Sequence, residues 1–164
     1  MNDANVQAPH GSSSGEPVVE FRRVRSRPDW QECCRIRHRV FVEEQGVPLQ
    51  IEWDDYDAIA EHRLLLVDGQ LAATGRWRWK DIGVAKLERF AVLREHRGFG
   101  HGRRIVGAVV DEVLATGARR IELSAQAHLE AFYASFGFRV CGEGFDEAGI
   151  PHVPMARDAE PISA

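Results

Sequence analysis

The sequence predicts an α/β (α+β) protein built on one open mixed sheet with helices on both faces. Three observations point there. Residues 63–80 read as two apolar-rich runs joined by Asp68-Gly69, the dipeptide of a tight type I′ hairpin. Residues 85–114 read as an apolar strand, a glycine-rich loop and an amphipathic helix. The remainder of the second half alternates strand and helix patterns, the order expected of a sheet covered on both sides.

Length and composition are compatible with this. A chain of 164 residues is one domain by size and can bury a substantial core. Its 44% hydrophobic and 28% charged residues are ordinary for a globular protein. The net charge of −4 argues against nucleic acid as the main partner. No apolar run approaches the roughly 18 residues of a membrane span, and no leader pattern is seen, so no membrane role is expected. Cys33, Cys34 and Cys141 form no CxxC pair and are odd in number, which reads as reduced thiols in a cytoplasmic protein.

Residues 1–16, poor in large apolar groups, are expected to be a disordered tail, 17–157 a single domain and 158–164 a flexible end. Within the domain, residues 17–24 alternate through Val19, Phe21 and Val24 as a first strand. Asp29 offers an N-cap for a helix to about Gln45, where Gly46 and Pro48 stop it. Arg37 and Glu44 stand on the same helical row as Trp30, Cys33, Val40 and Phe41. Such charges either snorkel and pair, or line a pocket. An acidic stretch follows, Glu52-Trp53-Asp54-Asp55-Tyr56-Asp57, then Glu61 and His62. These carboxylates suit a solvated loop or a cationic amine. A lone histidine beside them specifies no metal site, and none is expected.

After the hairpin, Gly83 turns the chain into the strand at 85–93, and Arg97-Gly98-Phe99-Gly100-His101-Gly102 leads into a helix with Ile105, Val109 and Val113 on one row. Glycines without Cβ atoms at a helix start let several N–H groups converge on an anion, so a pyrophosphate is the expected guest. A Walker loop would end Gly-Lys-Ser/Thr, but Arg103 and Arg104 follow Gly102. The dinucleotide fingerprint fails too, since its third glycine would fall on Arg103 or Ile105. Further on, 119–124 reads as a strand, 127–136 as a helix with Leu129, Phe132, Tyr133 and Phe136 on one face, and 138–141 and 149–157 as the last strands.

The loop Arg97-x-x-Gly100-x-Gly102 after an apolar strand resembles the coenzyme A loop of the GNAT superfamily of N-acetyltransferases. The block from Ala131 to Phe138, AFYASFGF, resembles that superfamily's FYxxxGF block, and RHRVFVEEQGVP, EWDDYD with AEH, and GIPHVPM resemble its small bacterial ElaA-like and YjcF-like branch. The similarity covers residues 18–157 with the motifs in order. It implies a mixed, mostly antiparallel central sheet with splayed central strands, and transfer of an acetyl group from acetyl-CoA directly to an amine of a small molecule or protein.

Site residues follow by position. Arg97, Gly98, Phe99, Gly100, His101, Gly102 and Arg103 would hold the pyrophosphate. Phe90, Ala91 and Val92 would pair with the pantetheine arm, with Phe132 and Tyr133 beside it. Tyr133 would protonate the leaving thiolate, since a phenol of ordinary pKa about 10 keeps its proton at neutral pH. An alkylamine of pKa about 10.4 is deprotonated in fewer than about one molecule in a thousand at pH 7, so a base is required. Glu88, Glu44, His62 and His152 are candidates, with Glu88 and His62 placed first. Arg37, Glu44, Asp57, Arg76, Gln126 and His152 would line the acceptor side. The family's frequent dimers make a homodimer an open expectation. Arg37, Phe41, Asp54, Asp57 and Arg76 also resemble acyl-homoserine-lactone synthases, which lack a clear Arg-x-x-Gly-x-Gly loop. A binding module that senses acetyl-CoA without turnover is the alternative outside enzymes.

Overall fold

The computed structural model describes residues 15–160; the expected tails lie largely outside them. The first strand, β1 (Val19–Arg23), is the outer edge of an eight-stranded sheet. Asp68 and Gly69, both with positive φ, close the expected hairpin between β2 (Glu61–Val67) and β3 (Gln70–Asp81). With β4 (Val84–Val92), β5 (Arg120–Gln126), β6 (Arg139–Val140), β7 (Phe145–Glu147) and β8 (Ile150–Asp158), the order is β1-β2-β3-β4-β5-β8-β6, with β7 also on β8. β7 was not expected from the sequence. Asp158, assigned to the flexible end, instead closes β8 and pairs with Arg120 at 2.9 Å.

Every ladder is antiparallel except β4–β5. That parallel pairing runs only from Val84–Arg120 to Leu87–Leu123. Beyond it β4 stays on β3 and β5 stays on β8, so the two strands part and open a cleft at the middle of the sheet.

β4 bends where it parts. Glu88 faces Arg76 and Ala91 faces Thr74, so three steps on β4 oppose two on β3. This β-bulge places Arg89 at φ +59, a costly conformation for a residue with a Cβ. The guanidinium secures it by donating to the carbonyls of Ile51 and Glu52 and to Asp54 Oδ2 at 3.2 Å. Leu87 and Phe90 consequently both belong to one core.

That core lies under α3 (His101–Ala115), whose Ile105, Val106, Val109, Val110 and Val113 are buried against Trp77, Leu87, Ile121 and Met155. Their i, i+4 rows are those expected from the sequence. The other face is covered by α1 (Arg27–Arg37), through Cys33 and Ile36 against Leu64, Leu66 and Ala91. Ser26, not Asp29, caps α1: its Oγ accepts from Asp29 N at 3.2 Å, and Pro28 occupies the first turn. The rest of the expected long helix is a π-helix, His38–Glu44. After it come α2 (Leu49–Glu52) and a 3₁₀ turn, Asp55–Ala58. The helix expected at 127–136 is a 3₁₀ turn leading into α4 (Glu130–Ala134). No helix among the described residues is long and apolar enough to cross a membrane.

Candidate active site

Two cavities meet at the cleft where β4 and β5 part. The larger, about 630 Å³, is lined by β4 from Phe90 to Val92, the glycine loop, the start of α3 and Phe132. The smaller, about 410 Å³, is lined by Phe41, Asp54, Tyr56, Arg78, Lys86, Glu88, Arg89, Ser124 and the β7–β8 hairpin. Gln45, Phe90, Gln126, Leu129 and Tyr133 line both.

The larger cavity has the features of an anion cradle. Gly98 and Gly100 have φ of +84 and +78, and among the described residues no atom lies within 4 Å of where a Cβ would stand. Gly100 is the N-cap of α3 and provides no side-chain acceptor, so the first-turn N–H groups at His101, Gly102 and Arg103 point outward at the positive end of the helix dipole. Arg97 and Arg103 flank them. Arg97 is steered by Val92 O at 2.9 Å and Glu44 at 2.8 Å; Arg103 by Ser135 Oγ at 2.8 Å and the Phe136 ring. His101 is 5% exposed, its Nδ1 has no hydrogen-bond partner among the described residues, and burial lowers its pKa. Phe99 is 70% exposed and lies outside the lining. Gly75 has a steric role: a Cβ there would meet Phe90 Cε1 at 2.5 Å. Glycine thus lets the Phe90 ring lie across β3 and form part of the wall between the cavities.

Tyr133 stands on that wall, 8% exposed and packed edge-on against Phe132 and Phe138. Burial alone pushes its phenol up to about 12, because an ionised phenolate would lose its hydration. It is therefore a neutral donor across the physiological range.

Four expected site residues, Arg37, Asp57, Arg76 and His62, stand behind the smaller cavity's wall rather than on its surface. Arg37, 1% exposed, donates to Glu52 and to Asp57 at 2.6 Å. Arg76, also 1% exposed, donates to Asp57 at 2.6 Å, Asp54 at 2.7 Å and Glu88 at 3.1 Å. Asp57 is held between these two guanidinium groups. Burial pushes Asp54 and Asp57 up, but the arginines prevail and hold both below the usual carboxylate range. His62 is buried against Trp30, with Nε2 3.0 Å from the Asp57 carbonyl, and burial lowers its pKa. Glu44 faces Arg97. The acidic stretch that suggested amine binding is thus largely neutralised by arginines from α1, β3 and β4.

Three expected residues do face the smaller cavity. Glu88 has its oxygens engaged by Arg76 and Arg78. Gln126 Nε2 donates to Gln45 Oε1 at 2.8 Å, bridging the cleft. His152 stacks on Phe145, and its Nδ1 is 2.7 Å from the Ile150 carbonyl. Because a carbonyl can only accept, Nδ1 carries the proton in the neutral ring and Nε2 is left as an acceptor. Sequence reasoning missed Lys86, Arg78, Arg89 and Gln45; only fold-back of distant segments makes them a wall, and no motif marks them. Among the described residues no three metal-ligating side chains converge.

A cleft between splayed central strands, with a glycine loop and helix start on one side and a polar cavity on the other, defines a coenzyme-A-dependent acyltransferase fold. Residues 50–159 match the acetyltransferase (GNAT) domain family, and the chain belongs to it. It is 42% identical over 75% of its length to the uncharacterized N-acetyltransferase YjcF of Bacillus subtilis (strain 168), covering 88% of that protein. The crystal structure of Escherichia coli ElaA superposes with a TM-score of 0.79 at 29% identity, over 86% of this chain and all of that one. An acyl-CoA N-acyltransferase from Pseudomonas aeruginosa gives 0.77 at 28%, over 87% and 99%.

Proposed function

We propose that the protein is an N-acetyltransferase: it binds acetyl-CoA in the larger cavity and transfers the acetyl group directly to an amine held in the smaller one. The observation that carries this reading is Tyr133, a buried neutral phenol on the one wall common to both cavities.

The glycine-loop N–H groups and Arg97 and Arg103 would hold the pyrophosphate. Phe90, Ala91 and Val92 would offer the pantetheine arm the strand edge that β5 leaves. The amine attacks the thioester carbonyl, the C–S bond breaks, and the departing thiolate takes the Tyr133 proton. An N–H from Ala91 or Val92 would meet the oxyanion. His152, through Nε2, is a better proton acceptor than Glu88, whose oxygens two arginines already occupy, or His62, which lies outside both cavities. The concave acceptor side suits a small amine. Free thiols at Cys33, Cys34 and Cys141 and a dependence on coenzyme A suit a reducing, cytoplasmic setting.

Calorimetric titration with acetyl-CoA, with NAD and ATP as controls, tests the donor site. Selective binding lost in Gly100→Trp supports it; a folded protein that ignores acetyl-CoA would refute it and direct attention to acyl carrier protein as donor. Amine-dependent thiol release that disappears in Tyr133→Phe would then exclude a non-catalytic sensor.

A further inference from the structure

We infer that the acceptor carries an anionic group at the end remote from its reacting amine, and that Lys86 and Arg78 receive it. This rests on the acyl-transfer reading and specifies its substrate class.

The wall of the smaller cavity and the network behind it hold the cations Arg37, Arg76, Arg78, Lys86 and Arg89 against the carboxylates Glu52, Asp54, Asp57 and Glu88. Glu147, which also lines the cavity, is a fifth carboxylate, so the charges balance overall, and only at the end away from Glu147 is one positive charge left over. It belongs most nearly to Lys86. Its Nζ is 3.7 Å from Glu88 Oε1, beyond hydrogen-bond distance, and makes no hydrogen bond among the described residues. Glu122, opposite Lys86 on β5, is already engaged by Lys80 at 2.6 Å and Arg120 at 2.9 Å. Arg78 lies directly across β3 from Lys86, its guanidinium 3.6 Å above the Tyr56 ring and its Nε and one Nη on Glu88. Its other Nη makes no hydrogen bond among the described residues. An ammonium and a guanidinium edge thus stand side by side at the end of the cavity away from Tyr133, with donors that an anion would satisfy.

The opposite end has the complementary character. His152 and Gln126 pair across β8 and β5 beside Tyr133, and exposed Glu147, which makes no ion pair among the described residues, follows on β7. A cationic amine arriving there is attracted before it loses its proton. Lys86 and Phe90 are four residues apart on β4, on the order of 13 Å along the strand, and the bulge and the lysine's own reach shorten the span. The acceptor is therefore an elongated molecule, amine at one end and carboxylate or phosphate at the other, with on the order of 10 Å between them. A diamine would put its second cation against Lys86.

The test measures thiol release from acetyl-CoA with four straight-chain eight-carbon acceptors: the monoamine, the diamine, the ω-amino carboxylate and the ω-aminoalkyl phosphate. The anionic acceptors are expected to exceed the diamine at least tenfold in kcat/KM, and the carboxylate and phosphate arms identify the preferred anion. Lys86→Gln should raise KM for the anionic acceptor about tenfold or more, with a clearly smaller effect on KM for the monoamine. Lys86→Glu should reverse the preference toward the diamine. Diamine preference in the unaltered protein, or equal effects of Lys86→Gln on all four acceptors, would overturn the inference while acyl transfer itself stood. Thiol release with none of the four, together with failure to bind acetyl-CoA, would overturn both.

Discussion

Arg37→Met separates a structural arginine from a substrate ligand. Arg37 and Glu52 are 1% and 2% exposed, so solvent does not screen their pairing. Methionine roughly preserves the buried volume and removes the charge. Glu52, whose pKa burial already raises against the pull of Arg37 and Arg89, would keep only Arg89 at 3.2 Å. Asp57 would keep Arg76. Leaving one partner of a buried pair uncompensated costs about 3–5 kcal/mol. In a domain of this size that is a fall in Tm of about 6–20 °C. Removing both partners, Arg37→Met with Glu52→Leu, should return stability to within about 2 kcal/mol of the parent, because an apolar pair needs no compensation. Denaturant unfolding and calorimetry give the stabilities, and acyl transfer at a temperature where each variant is folded gives the function. A loss below about 1 kcal/mol in the single variant, or a KM for the acceptor that rises with Tm intact, would refute the structural assignment.

Tyr133→Phe should lower kcat by about 10²-fold or more with little change in KM; because burial pushes the phenol up to about 12, the parent's rate should show no loss from tyrosine ionisation below pH 10. Gly75→Ala should raise the KM for acetyl-CoA, because the new Cβ would stand 2.5 Å from Phe90 Cε1 and force the ring off the shared wall; an unchanged KM would show that ring to be irrelevant. His152→Gln should depress kcat well beyond any change in acceptor KM, whereas His62→Gln should alter stability alone. Acid should destabilise the protein in two ranges. His62 has a folded pKa below its ordinary 6.5, so its contribution, present above that pH, is lost as pH falls through the folded value. Asp54 and Asp57, held below 3.8, lose theirs only beneath that pH. Tm measured from pH 8 to 3 checks both, and His62→Gln should flatten only the upper range.

What the sequence by itself determined is what neighbours in the chain decide. Asp68-Gly69 sets the hairpin because both residues tolerate positive φ. The glycines at 98, 100 and 102 and the Ile105, Val109, Val113 row specify a loop with free N–H groups and a helix with one apolar face. Each follows from contacts within a few residues, so the loop and helix beside the larger cavity were legible. The lining of the smaller cavity was not. Arg37 reaches Glu52 across 15 positions and Arg76 reaches Asp54 across 22, so the carboxylates of an acidic run that looks like an amine site are taken up by arginines from distant elements. The β4 bulge at Arg89, the parallel pairing that ends at Leu87 and the orientation of His152 also depend on segments far apart in sequence. Tertiary structure alone decided which charges remain free to meet a substrate, because a charge's availability depends on the partners that folding brings to it.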